Sequence, residues 1–492
     1  MQKYESFGDC LKRALKEADL SASEAARLVG FRSRNSIFRI LGGDASSDVK
    51  QRFLTLLYEA LGDRWPRERW QALQEALSVE RLGPERYRAN RAFQQVLQEK
   101  DGGPSNCTVH ITLEDGTQER PLAEVLREIA SSARVEIVIT GCCEGGLMAL
   151  LAQCCGDAGA RGTLTIRHYI DTAEETVSQN ILGILPLVSK PWYNARLVGN
   201  GSCPAEMMAI YRLNAIYVHR WDEQGTQYST MFVRYDESSF ATRPEKQGSS
   251  LAVGMLDRWR FHLELLKPLP NISAGPEMFV EYTRQYAQLE AGCTILSIKP
   301  DVHFNCIPAA VLEQSIIEGF EQSGMAAGPE LIELVGALRA VHEQRFRNMV
   351  EKHKATHLIY SLPAMERFMR TGVLSDQFFI QRAYTVEERR QCIRMLLDTM
   401  REQPYFNVHF LREDMLPLQY EISFYDGKGV MLMDAYTSYD LDTDHSEALI
   451  TLPAFMDAFQ RYFMDELLAH HVLSRGESIA ALERLLVMNV QE

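Results

Sequence analysis

No apolar run in this 492-residue sequence reaches the roughly 18 residues that a membrane-spanning helix needs. The opening residues, MQKYESFGDCLKRALKEADL, also lack the apolar core of a signal peptide and read as an amphipathic helix. No small disulfide framework is present either, because the ten cysteines are scattered through apolar segments of a large chain. The sequence therefore predicts a cytoplasmic protein with no membrane partner. It also contains no G-x-G-x-x-G, no G-x-x-x-x-G-K-[ST], no serine-nucleophile elbow and no kinase or protease signature. No histidine has metal-ligand spacing beside a carboxylate or cysteine. These absences predict no cofactor, no metal and no enzymatic activity.

The charge is unevenly spread. The chain carries −14 overall, yet residues 1–100 hold 18 Lys+Arg against 14 Asp+Glu. The first hundred residues are thus at +4 and the remaining 392 at −18. A mildly basic head on an acidic body suits a small reader of double-stranded DNA that carries a large regulatory domain. The segment DGGPSN, 101–106, has the composition of a linker between them.

Within the head, Phe7–Leu20 places Leu11, Ala14, Leu15 and Ala18 on one helical face. Ser21 or Ser23 can cap a short second helix, SEAARLVG, which Gly30 ends. RSRNSIFRIL follows, with Ile37, Ile40 and Leu41 inward. A fourth helix begins near Ser46–Ser47 with the expected buried stripe Val49, Phe53, Leu56, Leu57 and Ala60. Two short helices joined by a glycine turn and braced by longer ones form a helix-turn-helix. Ala25 and Ala26 supply the small residues where the pair crosses. Arg32, Ser33, Arg34, Asn35, Ser36 and Arg39 supply the DNA-facing side chains, since Arg and Asn are bidentate partners of guanine and adenine.

Over about residues 7–62 the sequence resembles the lambda-repressor-like (Cro-type) helix-turn-helix family of bacterial-type transcription regulators. ASEAARLVGF, the polar segment RSRNSIFRIL and the bracing helix SDVKQRFLTLLYEALG carry the resemblance. It implies sequence-specific binding of double-stranded DNA as a homodimer. The chain departs from the family pattern once, because Phe31 and Ile37 are six positions apart where the family has five. That extra residue leaves it open whether Arg34, Ser33 or Arg32 reads bases beside Asn35.

After the head (1–64), WPRERWQALQEALSVERLGPERYRANRAFQQVLQEK at 65–100 reads as two helices, a spacer packed on the head or a dimerisation pair. The body alternates strands and helices. VEIVIT (135–140), LTIRHYI (164–170), NARLVG (194–199), CTILSI (293–298), THLIYSL (356–362) and NVHFL (407–411) read as strands. Hairpins are expected at Asp115-Gly116, Glu223–Gly225 and Asp426–Gly429, and a helix over about 251–266. The overall expectation is multidomain: an all-α head, then a large α/β body with mixed sheets. Its segments 107–270 and 271–492 share the order strand, helix, strand, hairpin, helix, and read as two degenerate halves. That order is loosely similar to phospholipase D-like domains, but no His-x-Lys-x4-Asp occurs, so the resemblance is to fold alone.

Few positions in the body suggest chemistry. The loop around Gly141–Gly146 sits where a strand feeds a helix, so Cys142, Cys143, Gly145 and Gly146 are candidate ligand contacts. The dyads Cys142-Cys143 and Cys154-Cys155 are poorly spaced for zinc and read as small buried hydrophobes. The acidic run 439–447 lacks the spacing of a calcium loop. Together these features predict a DNA-binding regulator whose body senses a small-molecule or protein effector and dimerises. The alternative is an enzyme of unknown class with an appended DNA-binding domain.

Overall fold

The computed structural model describes residues 5–31, 34–98, 108–113, 116–140, 143, 145–171, 173, 176–188, 190–198, 215–234, 239–245, 266–268, 276–324, 328–351, 354–374, 382–412, 420–434 and 447–488. The linker 101–106, residues 251–265 and residues 439–446 lie outside them. The chain divides into two compact units, residues 1–91 and 92–492. No described helix is long and apolar enough to cross a membrane.

The first unit is all helical: α1 (Phe7–Glu17), α2 (Ala22–Leu28), α3 (Arg34–Gly42), α4 (Ser47–Leu61), α5 (Arg67–Leu82) and the start of α6 (Pro84–Gln98). One apolar cluster joins Leu11, Leu15, Ala25, Ile37, Ile40, Phe53 and Leu57, and continues past residue 64 into Trp70, Leu73 and Leu77 of α5. Trp65 stacks on Trp70 at 4.8 Å, and the Trp70 indole N–H donates to the Gly62 carbonyl at 3.1 Å. The expected stripe of α4 needs one correction. Val49 is 41% exposed and Leu56 half-buried, whereas Leu54 and Lys50 are buried with Phe53 and Leu57. Lys50 turns inward because its ammonium donates to the Gly43 carbonyl at 3.3 Å and pairs with Glu80 of α5. A buried ammonium survives only when paired in this way.

The second unit is α/β. Its strands are β1 (Thr108–Leu113), β2 (Gly116–Pro121), β3 (Arg134–Thr140), β4 (Leu164–Asp171), β5 (Tyr193–Val198), β6 (Ala215–Trp221), β7 (Gln227–Arg234) and β8 (Ser239–Glu245). β9 (Leu266–Pro268), β10 (Ile295–Lys299), β11 (Thr356–Tyr360), β12 (Phe406–Phe410), β13 (Tyr420–Tyr425), β14 (Gly429–Asp434) and β15 (Glu447–Ile450) follow. Two mixed sheets result, ordered β2-β1-β8-β7-β6-β3-β4-β5 and β12-β11-β10-β13-β14-β15-β9. In the first, β3, β4 and β5 run parallel, and β6, β7 and β8 continue antiparallel from β3. In the second, β10, β11 and β12 run parallel, and β13, β14 and β15 continue antiparallel from β10. Six strands of each sheet therefore share one order and one set of directions. Leu266–Pro268 pairs with β15, so chain before residue 271 already belongs to the second sheet.

The helices of the first part are α7 (Leu122–Ala130), before β3, and α8 (Gly145–Ala160), α9 (Val177–Gly183) and α10 (Leu185–Val188), after the parallel strands β3 and β4. α11 (Pro276–Glu290), α12 (Ala309–Gln322), α13 (Pro329–Met349), α14 (Leu362–Thr371), α15 (Val386–Glu402), α16 (Pro453–Tyr462) and α17 (Arg475–Leu486) belong to the second. Pro329 and Pro453 open their helices, where the missing N–H has no intrahelical partner to lose. Ile137, Ile139, Ile166 and Ile170 of the first sheet share an apolar cluster with Leu296, Ile298, Ile359, Ile422 and Phe424 of the second. Phe93 of α6 enters that cluster against Phe455, Phe459 and Tyr462. A second cluster packs the other face of the second sheet under α11 to α15.

Candidate nucleic-acid interface

The α2–α3 pair is built from local rules. The Ser21 hydroxyl accepts from the Glu24 N–H at 3.2 Å while the Glu24 carboxylate accepts from the Ser21 N–H at 2.9 Å, a reciprocal cap that fixes where α2 starts. Gly30 ends it with φ +74°, the left-handed conformation that favours glycine. The Phe31 N–H closes the turn on the Ala26 carbonyl at 2.9 Å. The Phe31 ring then meets Phe53 of α4 at 5.6 Å. Ala25 and Ala26 are buried at the crossing, and Ile37 and Ile40 of α3 are fully buried. α3 opens at Arg34, and both isoleucines lie on its buried face. The helical register is intact from Arg34 onward.

The outward side of α3 carries Asn35, Phe38 and Arg39, all exposed, and Ser36 is half-buried beside them. Positions 35, 38 and 39 are neighbours on one helical face. The Arg39 guanidinium donates to the Asp44 carbonyl at 3.3 Å, which directs it along the C-terminal end of α3. Arg32 and Ser33 lie outside the described residues, as does the side chain of Arg34. Phe38 is the residue that sequence reasoning passed over. At 56% exposure it is a large apolar group held in solvent among polar neighbours, and apolar contact is how proteins read the thymine methyl. Its place three positions after Asn35 and one after buried Ile37 was the available signal.

In the body, Gly145 and Gly146 open α8, and Cys143 just precedes it, half-buried; Cys142 lies outside the described residues. The Cys143 Sγ is 3.8 Å from His168 Nε2 on β4, and His168 Nδ1 is 2.7 Å from the Tyr193 hydroxyl on β5. Cys154 and Cys155 are buried on α8, and burial pushes the Cys155 thiol up to about 12. Among the described residues no group of three or more His, Cys, Asp or Glu side chains could hold a metal ion.

The second sheet holds a concentration of buried polar groups. Arg345 of α13 grips Glu290 of α11 with both carboxylate oxygens engaged at 2.6–3.0 Å, and it also lies over the Tyr286 ring. Lys299 at the end of β10 pairs with Glu421 of β13, and Ser297 and Ser423 share a hydrogen bond at 2.7 Å. His342 lies 2.7 Å from the Ile307 carbonyl, and burial lowers its pKa to about 4. His303 is held well below the usual range by burial and by Lys299, Arg345 and His342 nearby. Opposite charges are matched in this cluster.

No protein-family model matches this chain, and neither does any curated protein or solved structure.

Proposed function

We propose that this chain is a sequence-specific DNA-binding transcription regulator of the Cro type, working in the cytoplasm. Its head reads the major groove with α3, and the body senses a small-molecule or protein effector and holds a homodimer. The observation that carries the reading is the outward face of α3. Asn35, Phe38 and Arg39 project together from a helix whose opposite face locks Ile37 and Ile40 into the core, behind a tight glycine turn. The basic balance of residues 1–100 favours phosphate contact over the acidic remainder. A single recognition helix reads few base pairs, so two-fold pairing with half-sites about one helical turn apart supplies the specificity.

The common strand order of the two sheets supports a body made by duplication of one α/β unit. The loose likeness of its element order to phospholipase D-like halves does not extend to catalysis, since the His-x-Lys pairs of those enzymes have no counterpart in the sequence. The described cysteines are all free thiols, in keeping with a reducing compartment.

Selection of bound sequences from a random DNA pool, followed by titration of single variants, tests the reading. Asn35→Ala is expected to weaken binding by about 1–3 kcal/mol and to relax preference at one base pair, an adenine contact. Phe38→Ala should relax preference at an A·T position through loss of the thymine methyl contact, without changing the salt dependence. Arg39→Ala should weaken all sequences alike and flatten the salt slope by about one ion. Enrichment of no common sequence would contradict the proposal.

A further inference from the structure

Strand β3 passes the chain to α8 across residues 141–144, and Cys143 is held there by its backbone. Its carbonyl lies against Gly183 of α9 so closely that an added Cβ would sit 1.7 Å from the oxygen, which only glycine allows. From that position Sγ faces Nε2 of the fully buried His168 at 3.8 Å. The Tyr193 hydroxyl meets the other ring nitrogen at 2.7 Å, and burial keeps the phenol protonated by pushing its pKa well up. When Nδ1–H donates to the Tyr193 oxygen, Nε2 turns its lone pair toward the thiol. Cys143 also stands just before a 16-residue helix, whose N-terminal dipole favours a thiolate. Among the described cysteines the other six are buried, and Cys143 alone is partly open to solvent.

We propose that Cys143 is a reactive thiol, activated by His168, that hydroperoxides oxidise to a sulfenic acid. This assignment stands whether or not the head binds DNA. His168 Nε2 takes the thiol proton, and the thiolate attacks one peroxide oxygen. The S–O bond forms as the O–O bond breaks, and the sulfur gives up two electrons. The departing alkoxide recovers the proton from Nε2. A thiol and a hydroperoxide thereby become a sulfenic acid and an alcohol, or water when the oxidant is hydrogen peroxide. Tyr193 touches neither sulfur nor peroxide and is a positioning residue.

The test treats the full-length protein with hydrogen peroxide and a dimedone trap, with fragment mass spectra separating Cys143 from Cys142. Native Cys143 is expected to be trapped about tenfold faster than the same residue in urea-unfolded chain, whose thiols are ordinary. His168→Gln with an unchanged circular dichroism spectrum should lose that advantage. Tyr193→Phe should slow trapping and shift the His168 tautomer in ¹⁵N NMR, which a purely structural change would leave in place. Native Cys143 reacting no faster than the unfolded chain overturns the proposal. So does a folded His168→Gln variant as reactive as the native protein. If that variant does not fold, the comparison of native with unfolded chain decides alone.

Discussion

Arg345→Met is expected to destabilise the body by about 3–5 kcal/mol, read as a fall in the urea midpoint of the full chain. Arg345 and Glu290 are each almost wholly buried, with side-chain exposures of 4% and 3%. Removing the guanidinium leaves a carboxylate in the interior with neither its counter-charge nor the three hydrogen bonds that now satisfy it. Loss of the cation over the Tyr286 ring adds to the effect. The desolvation that makes the single change severe also makes the pair replaceable. Glu290→Leu combined with Arg345→Met should therefore recover much of the loss. A single variant as stable as the parent would mean that the pair is wetter than its burial implies.

Acid should weaken the body well before its carboxylates titrate. His342 is held at about 4 by burial, and His357 at about 4 by burial and then by His409 and Arg475. His303 and His409 are lowered in the same direction, burial being the first cause in both. The His357 and His409 rings stack 5.4 Å apart with Nδ1 of the first 3.2 Å from Nε2 of the second. His409 Nδ1–H donates to the Leu473 carbonyl at 3.3 Å, so its Nε2 is the acceptor and His357 the donor. Both rings are neutral in that arrangement.

An unfolded histidine takes its proton near pH 6.5. Between about pH 6.5 and about 4 the unfolded chain thus binds protons that the folded one refuses, and stability falls as pH falls. For His342 alone the full effect is about 3 kcal/mol, and the four histidines act together. Urea midpoints compared at pH 7.5 and pH 5 should show the loss, and His342→Gln should flatten it. A midpoint that is level across this range would contradict the buried neutral state.

What the sequence made legible follows from how local each cause is. VEIVIT and THLIYSL could be read as strands because burial on both faces writes a continuous apolar run. Strand β8, SFATRPE, could not, since its alternation is weak and Pro244 interrupts it. The α2–α3 helix pair was legible because caps, a turn glycine and a 3.6-residue stripe all lie within a few residues of one another. Lys50 was not, because its partner Glu80 is 30 residues away and nothing near position 50 announces it. Glu290 and Arg345, 55 residues apart, meet only through the packing of α11 on α13. Phe38 was missed for a different reason. An apolar residue on an amphipathic helix defaults to the core, although Ile37 and Ile40, read inward from the sequence and buried in the structure, already fill the inward face. The loop at Cys143 was readable as a candidate contact, but His168 and Tyr193 join it through the register of β4 and β5.

The most direct test of DNA reading replaces Arg32, Arg34, Asn35 and Arg39 together by alanine and measures affinity for selected DNA by titration at fixed salt. Asn35 and Arg39 are both exposed on α3, and the helical circular dichroism and the melting temperature should be retained. Loss of one base reader and up to three cationic contacts is expected to lower affinity by about 1,000-fold or more, to the level of non-specific DNA. A variant that stays folded and binds the selected sequence as tightly as the parent would contradict the assignment of α3 as the reading helix.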